Sequence, residues 1–141
     1  MVMDFLTRSE RSKRMSQIRK RDTVPELVVR HIAHMLGYRF RLHDRRLPGT
    51  PDLVFPRLGK IVDIRGCFWH SHNCRRGRPP VASRTDYWHP KLKRIIQRDK
   101  RTGKELRALG WDILVIWECE TKNVLQLERR LKRFLTRSLE I

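Results

Sequence analysis

Cys67, Cys74 and Cys119 are the chain's three cysteines, and His70 and His72 stand between the first two in "GCFWHSHNC". Three thiolates and one imidazole complete a tetrahedral zinc set, and on spacing alone either histidine can be the nitrogen ligand. An odd number of thiols, in a chain whose start "MVMDFLTRSERSKR" lacks a secretory apolar segment, argues against a disulfide framework. The second group is made of carboxylates. Asp52 follows a proline at the start of one strand-like run, and Asp63 lies in the next. Carboxylates are the natural ligands of a hard cation such as magnesium, which polarises a phosphate and lowers the pKa of an attacking water. In Asp63-Ile64-Arg65 the acid and the cation share one face of a strand, because side chains alternate.

These residues need elements to hold them. "DTVPELVVRHIAHMLGY" predicts a helix. Thr23 to Glu26 fits a capping box, Pro25 sits in the first turn, and Gly37 is the stop. Its apolar stripe is Val28, Ile32 and Met35, with Leu36. Strands are predicted at 38–42, 52–55 and 60–64, separated by the turns "LPGTP" and "PRLG". The stretch 66–90, with Gly66, Gly77, Pro79, Pro80 and Pro90, reads as irregular. A basic helix is expected over about 92–109. "WDILVIW" then reads as a buried strand ending near Cys119, and Val124, Leu127, Leu131 and Phe134 stripe a final helix. Helix, three strands, helix, strand, helix makes an α/β or α+β layered domain.

At 141 residues the chain fits one domain, expected over 1–141, with residues 1–20 as a basic arm. No run approaches the roughly 20 apolar residues of a membrane span, so the cytoplasm is the expected compartment. The 33 Lys and Arg outnumber the 15 Asp and Glu, a formal charge of +18. A field of that sign attracts polyanions, which makes nucleic acid the leading partner.

The pair Pro51-Asp52 followed by Asp63-Ile64-Arg65 resembles the "PD…(D/E)-x-K" pattern of restriction-endonuclease-like nucleases. A more specific resemblance runs through "RSKRM…RDT", "LPGTPDLVF", "GCFWHSHNC", "SRTDYW", Arg98-Asp99 and "GWDILVIWEC", which occur in one order over residues 9 to 119. Together they resemble the very-short-patch repair (Vsr) endonucleases. That family implies a restriction-endonuclease-like fold, with a central mixed sheet flanked by helices. It implies magnesium-dependent nicking of double-stranded DNA beside T·G mismatches left by deaminated 5-methylcytosine. The expected setting is a nucleoid-associated monomer in contact with mismatch-repair proteins.

By the same resemblance, Asp52 corresponds to the magnesium-binding aspartate, His70 to the general base, Asp99 to the acid that orients it, and Glu26 to an acid near the metal waters. A histidine titrating near neutrality can take a proton from water, and a carboxylate behind it fixes the tautomer. The capping box accounts equally for Glu26. The zinc ligands implied are Cys67, His72, Cys74 and Cys119, which leaves His70 for chemistry. Phe68, Trp69 and Trp88 correspond to aromatics wedged into the DNA stack; packing beneath the zinc loop is their other reading.

The chain departs from the family in one place. Arg65 stands immediately before "GCFWH", where members usually carry histidine or aspartate, and Asp63 adds a second acid as a potential magnesium ligand. Arginine cannot accept a proton, but its fork suits a phosphate. A site-specific homing or restriction-type nuclease without mismatch requirement is therefore one alternative, and a non-catalytic zinc-containing DNA-binding module is another.

Overall fold

The computed structural model describes residues 22–67, 72, 74 and 85–137, with side chains from residue 90 onward in the last stretch. The elements are α1 (Val24–Met35), β1 (Arg41–Leu42), β2 (Leu53–Phe55), β3 (Lys60–Arg65), α2 (Thr85–Ala108), β4 (Asp112–Trp117) and α3 (Val124–Thr136), with a 3-10 turn over Glu118–Lys122. The strands form one mixed sheet in the order β1-β2-β3-β4. β1 pairs antiparallel with β2 across the 43–52 loop, β2 with β3 across a short turn, and β4 lies parallel to β3. A parallel neighbour needs a crossover, which α2 supplies.

Alternation along the strands assigns the helices to layers. Leu53, Phe55 and Val62 point to one face and pack with Val29, Ile32 and Ala33 of α1 and Leu127, Leu131, Phe134 and Leu135 of α3. Val54 and Ile61 point to the other and meet Leu106 of α2. β2 is buried on both faces for this reason. The predicted layered α/β class and the flanked mixed sheet are thus present. By period two, Asp52, Asp63 and Arg65 fall on the α2 side of the sheet.

Several expectations need correction. The stretch expected to be irregular to residue 90 is already helical from Thr85, and Pro90 lies inside α2. A proline in the second turn forfeits one backbone bond, a loss that the regular turns on either side outweigh. The expected strand at 38–42 pairs only at Arg41 and Leu42. Tyr38 and Phe40 are recruited instead by their rings, packing against Phe55 at centroid distances of 6.3 and 5.7 Å. β4 is half-buried apart from Ile116, because it forms the edge of the sheet. In α1 the buried face is Val29, Ile32 and Ala33, while Met35 is 70% exposed. Val124 is likewise exposed, and the α3 stripe runs through Leu127, Leu131, Phe134 and Leu135. Cys119 lies in the 3-10 turn beyond β4 rather than at its end.

Lys60 is a buried cation at the start of β3. Its ammonium donates to the carbonyls of Phe134 and Arg137 and lies 4.9 Å from the Phe134 ring centroid. It thereby caps the C-terminus of α3, where carbonyls lack helical partners. Burial pulls its pKa below the usual lysine value. Lys60→Met keeps the stem but strands two carbonyls, and should cost about 1–3 kcal/mol in urea unfolding.

Gly49, at φ +74, lies where the 43–52 loop crosses α2. A Cβ there would fall 2.2 Å from Thr102 Cγ2. Gly49→Ala should therefore destabilise by about 1–3 kcal/mol, read from thermal melts.

Candidate active site

Near the end of the β1–β2 loop, Pro51 is fully buried and pins the start of β2. Within the loop, Asp44 accepts hydrogen bonds from the backbone and guanidinium of Arg46, which hold its carboxyl down at about 2. Leu53 pairs with Val62, so the next pair outward sets Asp52 against Asp63. The two acids interlock there. Asp52 N–H donates to Asp63 Oδ1 at 3.2 Å, and Ile64 N–H donates to Asp52 Oδ2 at 2.8 Å. Burial, and then the Asp63 and Glu26 charges, drive the Asp52 carboxyl up to about 7 against the opposing hydrogen bond from Ile64. Concentrated negative charge of this kind is what a hard dication relieves, so the donor set fits such an ion.

A cleft of about 800 Å³ opens beside this pair. Its walls include Glu26, Asp52, Asp63, Arg65 and Asp99, five residues selected from sequence and drawn from α1, the β1–β2 loop, β3 and α2. The wall also contains His43, which sequence reasoning missed. Its side chain is 13% exposed. His43 Nε2 lies 3.0 Å from Arg30 Nη2 and 3.4 Å from Glu26 Oε2, and Nδ1 lies 3.7 Å from Asp52 Oδ1. Arg30 also bonds Glu26 at 3.0 Å and Asp22 at 2.8 Å. Asp22, Glu26 and His43 are close enough to share a cation, but the guanidinium of Arg30 already supplies positive charge among them. No local motif marks His43, because its partners come from α1 and from across the sheet.

Glu26 is 3% exposed and anchors the start of α1. Thr23 Oγ1 accepts from Glu26 N–H at 3.4 Å, and Glu26 Oε2 accepts from Asp22 N–H at 2.9 Å. The expected capping box is thus shifted by one residue on its return bond. The cap and the cleft both use Glu26.

On the other side of Arg65, Cys67, His72, Cys74 and Cys119 gather with their ligand atoms all within 4.8 Å of one another. They could hold a metal ion. A tetrahedron of zinc–sulfur bonds about 2.3 Å long has edges of roughly 3.8 Å, which the cluster accommodates. His72 N–H donates to Cys67 O, Cys74 N–H donates to His72 O, and His72 Nδ1 lies 3.6 Å from Cys119 Sγ. The His72 ring stacks on Trp117 at 4.0 Å and 12°, and the Arg65 guanidinium lies 5.9 Å from the same indole. Burial, with the adjoining Cys74 and Cys119 side chains, pushes the Cys67 thiol up to about 12. Phe68, Trp69 and His70 lie outside the described residues, as does the basic arm. Trp88 lies in α2, its side chain also outside the described set.

Residues 3–76 match the family model for the DNA mismatch endonuclease Vsr. Over nearly its whole length the chain is also similar to the type II nicking enzyme V.XorIIP of Xanthomonas oryzae pv. oryzae, at 46% identity over 95% of this chain and 98% of that protein. The chain belongs to the Vsr endonuclease family. Other Vsr-type relatives bracket it. The type II nicking enzyme V.NmeAIP of Neisseria meningitidis serogroup A is 39% identical over 95% of each chain. The DNA mismatch endonuclease Vsr of Escherichia coli K12 is 36% identical over 99% of this chain and 86% of its own length. The Vsr match spans Glu26, Asp52 and Asp63 of the cleft and three of the four Cys/His ligand candidates, with Asp99 and Cys119 beyond it.

Proposed function

We propose that this DNA endonuclease nicks one strand of duplex DNA in a magnesium-dependent reaction, at T·G mismatches arising from deaminated 5-methylcytosine. The observation that carries the reading is the convergence of Asp52, Asp63, Glu26 and Asp99 on one cleft in a chain of the Vsr family. Magnesium, when bound, would polarise the scissile phosphate and acidify water. Asp52 would be its main protein ligand and Asp63 the second. Glu26 would accept hydrogen bonds from the metal's waters while keeping its bond to Arg30. His70 takes a proton from the attacking water, and Asp99 fixes the orientation of that histidine. Arg65, held beside Trp117, offsets negative charge at the phosphate.

In this reading Cys67, His72, Cys74 and Cys119 bind a structural zinc that ties the 67–74 loop to the end of β4, within a restriction-endonuclease-like core. Phe68, Trp69 and Trp88 press into the base stack, where a mismatch lowers the cost of unstacking. Residues 1–141 act as one domain whose basic arm, residues 1–20, grips phosphates, giving strongly salt-dependent affinity. The enzyme works as a cytoplasmic, nucleoid-associated monomer alongside mismatch-repair proteins.

The decisive experiment compares T·G-mismatched with matched duplexes of one sequence, with magnesium and with EDTA. A nick confined to the mismatched duplex with magnesium is expected. Equal cutting of matched DNA would instead assign a site-specific nuclease, and binding without cutting of any substrate would assign a non-catalytic module.

A further inference from the structure

The contacts of His43 specify a proton position. Arginine is always a donor, so the 3.0 Å approach of Arg30 Nη2, closer than Glu26 Oε2 at 3.4 Å, makes His43 Nε2 the acceptor. In the neutral ring the proton then resides on Nδ1, the nitrogen 3.7 Å from Asp52 Oδ1. The backbone adds a second grip, since His43 N–H donates to Asp52 O at 3.1 Å. His43 adopts φ +46, a left-handed conformation that histidine, asparagine and aspartate take more readily than other side-chain-bearing residues. Asp52 Oδ2 is already engaged by Ile64 N–H, so a second contact at Oδ1 restrains the rotation of the whole carboxylate.

We propose that His43 is a positioning residue for Asp52: Arg30 holds its Nε2, and its Nδ1–H, 3.7 Å from Oδ1, steers that oxygen electrostatically. His43 acts by limiting the rotation of the carboxylate, as the partners of metal ligands commonly do, at a typical effect of 10–100-fold on metal affinity. This inference rests on Asp52 being the cation ligand proposed above.

Three measurements test it. In the metal-free protein, two-bond 1H–15N correlations of the imidazole should show His43 protonated on Nδ1 and bare on Nε2. Calcium binding to the protein–duplex complex, followed by calorimetry so that no turnover intervenes, should weaken about tenfold in His43→Ala, and half-saturating magnesium for nicking should rise in step. His43→Asn returns an N–H donor near the Nδ1 position and tolerates the left-handed backbone, so it should recover most of the affinity. His43→Gln carries its amide nearer the Nε2 position and should not. A proton on Nε2, parental cation affinity in His43→Ala, or equal loss in the Asn and Gln variants overturns the proposal. Asp52→Ala separates the two claims, since cleavage surviving that change refutes the ligand assignment itself.

Discussion

In Asp52→Asn, the metal-free protein should melt several degrees higher than the parent at pH 8 while losing cleavage altogether. The sign follows from the Asp52 carboxyl, raised by burial and by the Asp63 and Glu26 charges to about 7 from an ordinary 3.8. A folded state that holds its proton more tightly than the unfolded chain does is favoured while both are protonated. That advantage fades as pH rises from about 4 and is gone above about 7, where the folded protein carries the whole cost of a buried charge. A shift of that size corresponds to roughly 2–4 kcal/mol, and the neutral amide avoids it. The gap between variant and parent should therefore be large at pH 8, small at pH 5, and narrowed at pH 8 by magnesium, which stabilises the carboxylate only in the parent. Melts at the two pH values, with and without magnesium, measure each part. A variant no more stable than the parent at pH 8 would show that Asp52 is not strained in the absence of metal.

Removing the metal from the cysteine cluster should have a still larger effect. Cys67 is fully buried, and its thiol is pushed up to about 12, so at neutral pH it is a thiol until a metal displaces the proton. Zinc uptake should then release protons, and affinity should climb with pH. Structural zinc contributes on the order of 10 kcal/mol in small domains, and here the ligands join the segment after β3 to the turn after β4. Chelation, or Cys74→Ser or Cys119→Ser, should lower the melting temperature by about 10 °C or more, given the few degrees each kcal/mol is worth in a domain of this size. Elemental analysis should find about one zinc per folded parent chain and little in either variant. A parent with no bound zinc, folded and active, would refute the four-ligand proposal. Loss of cleavage should follow loss of zinc, because His70 and the two aromatics before it lie between ligands.

How much was legible in the residues depends on the range of the signal. The helix that starts at Thr23–Glu26 is readable because caps and prolines act within one turn, and β2, β3 and β4 because apolar runs bounded by turn residues are a local signal. Helix faces were less so. Met35 and Val124 fit a 3.6-residue stripe yet face solvent, since neighbouring helices decide which part of a stripe is covered. The start of α2 was misplaced for a similar reason, as a single proline weighs less than the turns around it. Pro51-Asp52, Asp63 and the three cysteines stand out by residue type and spacing, whereas Asp99 and the choice of His72 over His70 came from the family resemblance. His43 carries neither signal.

The sequence by itself therefore determined the layered α/β class, the basic character, the family and the inventory of chemically competent groups. Only the tertiary structure decided that Asp52 faces Asp63 across two strands and that Cys119 closes on Cys67. It also decided that Arg30 and His43 reach Asp52 from a helix and a loop. Composition and periodicity depend on neighbours along the chain, whereas burial, proton position and charge coupling depend on neighbours in space. Those are set by how the helices cover the sheet.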